Sequence, residues 1–259
     1  MTCAAAFLDL DKTIIAGSSS LAFRRPLRRH GLIDRRTMLR GAYAHFLLMF
    51  AGADAAFMAT LRDRLTALCT GWDVATVQSI IAETLHEVVR PMVYAEAAAI
   101  ISAHREQGRA VVLLSASGQE MVAPIAELVG ADGFVASRMT VVDGRYTGQV
   151  EFYCYGEHKA AAARDIARDR GLDLAACYAY SDSITDLPLL ETVGNPVAVN
   201  PDRALRREAE RRGWPVLTFV HPVPLRTRLR STPVARTAVV AALSAGVLVG
   251  MSWLGRRRH

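Results

Sequence analysis

The chain carries two kinds of apolar pattern, and they change over near Pro91. From there on, short apolar runs alternate with stretches in which apolar residues recur every three or four positions, the period of an amphipathic helix. The helical stretches are 95–106, 120–129, 157–170, 184–192 and 203–212, the last one strongly polar. Between them, 109–114, 176–180, 197–199 and 215–219 read as short strands, and residues 4–9 form a further buried strand near the start. Residues 133–137 and 139–150 read as two more short strands, with Asp143-Gly144 as a hairpin turn. Such alternation predicts an α/β fold: a Rossmann-like parallel sheet with helices on both faces.

Residues 19–90 break the alternation. Apolar positions recur at helical spacing through Leu39–Phe50, Phe57–Leu68 and Val74–Val89. Asp54 and Asp73 suit helix N-caps, and Gly31, Gly52 and Gly71 punctuate the block. Because it falls between the first and second strands, it reads as an inserted helical cap domain, 19–90, within a Rossmann-like core made of 1–18 and 91–220. Residues 221–236 form a Pro/Arg linker, with Pro222, Pro224, Arg226, Arg228, Arg230 and Pro233. Residues 237–254 then carry no charge over 18 residues, and 255–259 form a basic tail. Eighteen residues is about the least that spans a bilayer as a helix. The expectation is a protein anchored in the membrane by its C-terminal tail, with the Rossmann-like core and its cap in the cytoplasm.

Charge is split along the 259-residue chain. Residues 1–202 hold 19 Lys and Arg against 23 Asp and Glu, whereas 203–259 hold 12 arginines against Glu208 and Glu210. The basic excess belongs to the C-terminal end, which argues against a nucleic-acid groove across the core. Cys3, Cys69, Cys154 and Cys177 are scattered without metal-type spacing and read as reduced thiols. His30, His45, His86 and His104 show no zinc-like pairing. Lys12 and Lys159 are the only lysines, against 29 arginines. A position that keeps lysine in such a composition calls for a compact ammonium rather than a planar fork.

Candidate chemistry gathers where the strands end. In an open parallel sheet, ligands collect beyond the carboxyl ends of the strands. The first strand delivers Asp9 and Asp11, the second Ser115, Ser117 and Gly118, and the strand 176–180 delivers Ser181, Asp182 and then Asp186. Lys159 opens the helix between the last two. Two aspartates two residues apart repel unless a cation or a proton is shared. Several carboxylates with a lysine and a serine suit a phosphate and a small hard divalent ion, magnesium better than zinc.

In order, Asp9-Leu10-Asp11-Lys12-Thr13, Ser115, Lys159 and Asp182-Ser183-Ile184-Thr185-Asp186 resemble the four motifs of the haloacid dehalogenase superfamily. The helical cap and the run Tyr180–Pro188 are most similar to its subfamily IB, the phosphoserine-phosphatase-like group. The resemblance implies a phosphomonoester hydrolase with an aspartyl-phosphate intermediate. Asp9 would be the nucleophile and Asp11 the acid/base. Ser115 and Lys159 would bind the phosphoryl oxygens, Ser115 being favoured over Ser117 because it directly follows the apolar run. Mg²⁺ would be held among Asp9, Asp11, Asp182 and Asp186, with Asp11 contributing its backbone carbonyl and Asp186 orienting Lys159 or a metal-bound water. Thr13, Ser117 and Gly118 would shape the phosphate loop, Gly118 allowing backbone N–H groups near the phosphate. Lys12 reads as a solvated loop lysine.

The chain departs from that group in two places. Where phosphoserine phosphatases carry an acidic residue nine positions after the nucleophile, it has Ser18, and no Asp or Glu occurs between Asp11 and Asp34. A substrate ammonium would lose a charged hydrogen bond of roughly 1.5–3 kcal/mol. Thr185 stands where asparagine is common. The cap offers Arg24, Arg25, Arg28 and Arg29, followed by Phe46–Phe50. This is either a solvated basic face followed by cap core, or a seat for an anionic, partly apolar substrate such as lysophosphatidate at the membrane, with Arg24 and Arg25 on the phosphate. The partner expected is therefore a small phosphorylated molecule, with the oligomeric state open. A response-regulator-like receiver is excluded because its acceptor aspartate lies on a later strand and it has no large insert. An inactive, membrane-tethered binding protein would need a missing catalytic group, and none is missing.

Overall fold

The computed structural model describes residues 3–33 and 66–220. Among the described residues seven strands form one sheet in the order β4-β3-β2-β1-β5-β6-β7. They are β1 Ala5–Leu8, β2 Ala110–Gly118, β3 Gly133–Val142, β4 Arg145–Phe152, β5 Tyr178–Ser181, β6 Asn195–Val199 and β7 Val216–Leu217. All neighbours pair in parallel except β3 and β4, which form a hairpin. The described helices are α1 Ser19–Ala22, α2 Arg24–Arg29, α3 Val74–Val88, α4 Ala95–Glu106, α5 Gln119–Val129, α6 Glu157–Arg170, α7 Leu187–Thr192 and α8 Arg203–Arg212.

Strand alternation builds the layers. Along β1, Ala6 and Leu8 face a core shared with Val111 and Leu113 of β2 and with α3, α4 and α5 through Ile81, Ile101 and Ile125. Ala5 and Phe7 face the other core, with Val112, Leu114, Ala163 of α6, Leu189 and Leu190 of α7, and Leu205 of α8. A strand covered on both faces has no polar alternation, which is why β1 and β2 read as continuous apolar runs. The helices end where expected: Gly130, Gly171 and Gly213 cap α5, α6 and α8 in the left-handed region. Asp73 caps α3, accepting the Thr76 N–H.

Three boundaries differ from the sequence reading. Strand β2 runs on through Ser115 to Gly118, because pairing with β3 resumes there after a register shift. Strand β3 is continuous through Arg138, and the expected break survives only as an irregularity in its pairing with β4. The expected helix 184–192 begins as a 3₁₀ turn, Ile184–Asp186, before α7.

The described ends of the expected cap pack onto the core. Val77, Ile80, Ile81 and Leu85 of α3 and Phe23 and Leu27 before it are buried in the same cluster as Leu8 and Leu113. The chain just before α3 also lies along the free edge of β4. Gly71 N–H donates to Tyr146 O, Tyr146 N–H to Trp72 O, and Val74 N–H to Gly144 O, each within 3.0 Å. Residues 34–65, with most of the helices expected over 39–50 and 57–68, lie outside the described residues, as do the linker 221–236, the run 237–254 and the tail 255–259.

The expected membrane anchoring is corrected. Among the described residues no helix is long and apolar enough to cross a membrane. The longest of them, α3, has 15 residues, about 22 Å of rise against a hydrocarbon core of about 30 Å. The C-terminal hydrophobic helix is thus without support, and the membrane-presented lipid substrate loses its basis with it.

Candidate active site

Strand β1 ends after four fully buried residues, and the chain leaves the sheet at Asp9. The Asp9 N–H still donates to Tyr180 O at 2.9 Å, so this carboxylate is held at the last rung of the ladder. Leu10 is buried beneath the loop, and its carbonyl accepts the N–H groups of both Ile14 and Ile15. The loop closes with Lys12 N–H on Gly17 O, and Ala16 N–H donates to Met92 O at the end of the 3₁₀ turn Arg90–Met92. Lys12 adopts φ 62° to make the turn, a conformation that costs a non-glycine residue on the order of 1 kcal/mol. Such a turn persists only where its surroundings hold it.

Lys159 is the hub. It sits in the first turn of α6, 3% exposed, with Nζ 2.6 Å from Asp9 Oδ1 and 2.7 Å from Asp186 Oδ2. Burial alone would lower its pKa, but attraction to Asp9 and Asp186, with their hydrogen bonds, outweighs this and holds it charged. The Ser181 hydroxyl donates to the same Asp186 Oδ2 at 2.7 Å, while Asp186 Oδ1 is buried with no hydrogen-bond partner. Asp9 Oδ2 accepts from Thr13 Oγ1 at 3.3 Å. Burial pushes the Asp9 carboxyl up to about 6 against the pull of Lys159, and Asp186 and Asp11 add repulsion.

The other two carboxylates take different partners. Asp11 Oδ1 accepts the Ser19 N–H at 2.9 Å and Oδ2 the Ser117 hydroxyl at 3.0 Å. Burial raises its pKa in spite of these bonds. Asp182 is 8% exposed, with Lys12 Nζ 4.0 Å away. Burial and the charge of Asp9 push it to about 8. Ser115 is 1% exposed and its Oγ accepts the Ser117 N–H at 3.2 Å.

Most of the expected residues therefore meet at the carboxyl ends of β1, β2 and β5, but not all in the expected roles. Thr13 holds Asp9, and Ser117 holds Asp11. Gly118 has φ −66° and serves as N-cap of α5, a conformation open to any residue. Among the described residues no three acidic, histidine or cysteine side chains converge to hold a metal, so a cation here would draw on backbone carbonyl or water oxygens besides Asp9 and Asp182. The reason is that Asp11 is turned to Ser19 and Ser117, and Asp186 to Lys159 and Ser181. Asp9 and Asp182 remain, two hard oxygen donors raised chiefly by burial, and the Asp9 charge that adds to the rise of Asp182 is one a cation would relieve. The unpartnered Asp186 Oδ1 adds an acceptor for a bound water. The donor set fits magnesium.

Arg24 and Arg25 are not brought to this centre. They line a separate cavity of about 370 Å³ with Leu21, Arg29, Thr84 and Met92. Helix α1 divides the two places: Ser19 faces Asp11, while Leu21 and Ala22 face the cavity. One residue of the centre, Ser19, escaped the sequence reading, and Ser181, placed there at the end of its strand, was given no role. Ser19 lay in the run Ser18-Ser19-Ser20, noted only for its missing acid; Ser181 lay inside the quoted run Tyr180–Pro188. Lys12, expected to be solvated, has its side chain 58% exposed yet leans toward Asp182.

The sequence profile of haloacid dehalogenase-like hydrolases matches residues 6–191. A Mycobacterium tuberculosis protein named a probable phosphatase is 55% identical over 244 residues, 94% of this chain and 85% of that protein. Another from the same organism, named a phosphoserine phosphatase, is 33% identical over 259 residues, 99% of this chain and 81% of that protein. Among solved structures, a phospho-aspartyl intermediate analogue of phosphoserine phosphatase superposes with a TM-score of 0.63 at 18% identity, covering 89% of this chain and 99% of that one. At that identity the likeness speaks for the fold.

Proposed function

The chain belongs to the haloacid dehalogenase-like hydrolases and is a phosphatase, and from that premise we propose that it hydrolyses small phosphomonoesters through an aspartyl-phosphate on Asp9. The observation that carries this reading is Lys159, buried and charged between Asp9 and Asp186. It holds one oxygen of Asp9 and offers positive charge where a phosphoryl group would arrive.

In the first step an Asp9 oxygen attacks phosphorus and the bond from phosphorus to the ester oxygen breaks. Asp11 gives its proton to the departing oxygen, which leaves as an alcohol. In the second step Asp11 takes a proton from water, the water oxygen attacks phosphorus, and the bond to Asp9 breaks to release inorganic phosphate. The Ser115 hydroxyl and Lys159 bind the phosphoryl oxygens through both steps. Thr13 keeps the Asp9 carboxylate in line. Magnesium held by Asp9, Asp182 and the Asp11 carbonyl would supply positive charge between the nucleophile and the phosphate.

The relative named a phosphoserine phosphatase makes phosphoserine the first substrate to try, and Ser18 in place of an acid favours a looser hold on its amino group. The test is phosphate release by the purified full chain from phosphoserine and a panel of small esters, with and without Mg²⁺. Wild type is expected to turn over at least one ester in a Mg²⁺-dependent way, and Asp9→Asn to lose essentially all of it. Release by Asp9→Asn at a tenth or more of the wild-type rate would exclude Asp9 as nucleophile.

A further inference from the structure

Asp11 does not stand alone at the mouth of the site. Its two oxygens are held by two serines that also hold each other: Ser19 N–H on Oδ1 at 2.9 Å, Ser117 hydroxyl on Oδ2 at 3.0 Å, and Ser19 Oγ to Ser117 Oγ at 2.7 Å. Ser19 is 0% exposed and Ser117 7%. The direction of these bonds follows from proton count. Each hydroxyl has one proton. Ser117 commits its own to the Asp11 carboxylate, so its oxygen accepts from Ser19, and Ser19 gives its proton to Ser117. The result is a closed ring through three side chains and one backbone N–H.

Ordinary helix capping does not account for this ring. Ser18, the residue before α1, makes no side-chain cap. Asp11 itself receives the first N–H of α1, from eight residues upstream, and the Ser19 hydroxyl reaches across to β2 instead of back along its own helix. Two buried hydroxyls are thus spent on fixing the plane of one carboxylate, at the junction of β1, β2 and α1.

The geometry points to Ser19 and Ser117 as positioning residues for Asp11, orienting its carboxyl toward the leaving oxygen and the attacking water. This deepens the reading of the site given above and rests on it. It also takes Ser117 out of the phosphate-binding set and leaves Ser115 there. A carboxyl free to rotate would spend part of its time aimed away from the leaving group, and misalignment of a proton donor is costly in rate. The loss should fall on substrates that need the proton. An alkyl alcohol leaves poorly without one; p-nitrophenolate leaves well as the anion.

The experiment compares kcat/KM, which reports steps up to departure of the leaving group, for an alkyl phosphate (phosphoserine, or whichever small ester turns over best) and p-nitrophenyl phosphate. Ser117→Ala is expected to lower the alkyl value about 10- to 100-fold and the nitrophenyl value no more than about threefold. Ser117→Thr, which keeps the hydroxyl, should restore most of the difference, and guards against a variant that merely folds badly. Ser19→Ala should show the same selectivity more weakly, since its N–H remains, and should add little on top of Ser117→Ala because it acts through that hydroxyl. Equal losses on both substrates in Ser117→Ala would overturn the proposal and return Ser117 to the phosphate itself. Failure of the wild type to release phosphate from either ester would instead overturn the phosphatase reading beneath it.

Discussion

Lys159 is the residue on which the site's electrostatics depend. Its ammonium bridges two buried carboxylates at 2.6 and 2.7 Å. Removing one partner of a buried ionic group leaves the other charges uncompensated, at a cost of about 3–5 kcal/mol. Lys159→Met should therefore destabilise the protein by about that much in urea unfolding, in addition to abolishing turnover. Lys159→Arg keeps the charge but replaces a compact point by a planar fork; it should fold yet lose most activity. A second buried titrating group lies outside the site. His104 is 4% exposed; Arg109 Nε donates to its Nδ1 at 2.8 Å, so Nε2 carries the proton and donates to Tyr180 Oη at 2.8 Å. Burial, and then the charge of Arg109, lower its pKa to about 4. The unfolded chain, with a histidine near 6.5, binds the extra proton first as pH falls. Stability from this group is thus full above about pH 6.5 and lost progressively down to about pH 4, roughly 3 kcal/mol in all. Unfolding free energies measured between pH 7 and 4 should fall less steeply in His104→Gln than in wild type, and parallel curves would refute the assignment.

Among the elements, the hairpin β3–β4 and the crossing before β6 show where backbone approach sets the sequence. Gly148 sits within β4 at φ 85°, and a Cβ there would lie 2.2 Å from Thr70 Oγ1 and 3.2 Å from Ala67 Cα. The glycine lets the segment before α3 lie against the hairpin, where Thr70 Oγ1 donates to Thr147 O. Gly194 is tighter still: a Cβ would lie 1.8 Å from the Ala175 carbonyl oxygen, which is backbone and has nowhere to yield. Gly194→Ala should cost about 1–3 kcal/mol from overpacking, read as a lower midpoint in denaturant, without changing the ratio of activities on different esters. The helices were legible because their signals are local: apolar spacing, an aspartate or glycine at the end, polar residues outside. Helices α6 and α8 fall at the bounds their periodicity predicts. The ends of β2 and the continuity of β3 were not legible. Pairing partners far along the chain decide where a strand stops, so Ser115 to Gly118 joined β2 only when β3 was beside it.

At the scale of the whole molecule, the sheet brings together carboxylates that are distant in sequence and leaves Asp182 raised to about 8 by burial and by the charge of Asp9. A divalent cation that binds the folded chain and not the unfolded one must raise its stability by RT ln(1 + [L]/Kd). Millimolar Mg²⁺ should therefore raise the thermal midpoint of the full chain, and Asp182→Asn should remove most of that rise. A rise undiminished in Asp182→Asn would exclude Asp182 as a ligand. By itself the sequence determined the α/β class and the order of elements and put Asp9, Asp11, Ser115, Lys159, Asp182 and Asp186 forward as candidates, because strand-end motifs and helix periodicity are written in neighbouring residues. Only the tertiary structure decided which partner each group takes. It turned Thr13 to Asp9, joined Ser117 and Ser19 on Asp11, placed Asp186 on Lys159 and Ser181, and set Arg24 and Arg25 behind α1. The bonds from Ser19 to Ser117 and from Lys159 to Asp9 span 98 and 150 residues of chain, and no local pattern encodes the direction in which a side chain will finally hydrogen-bond.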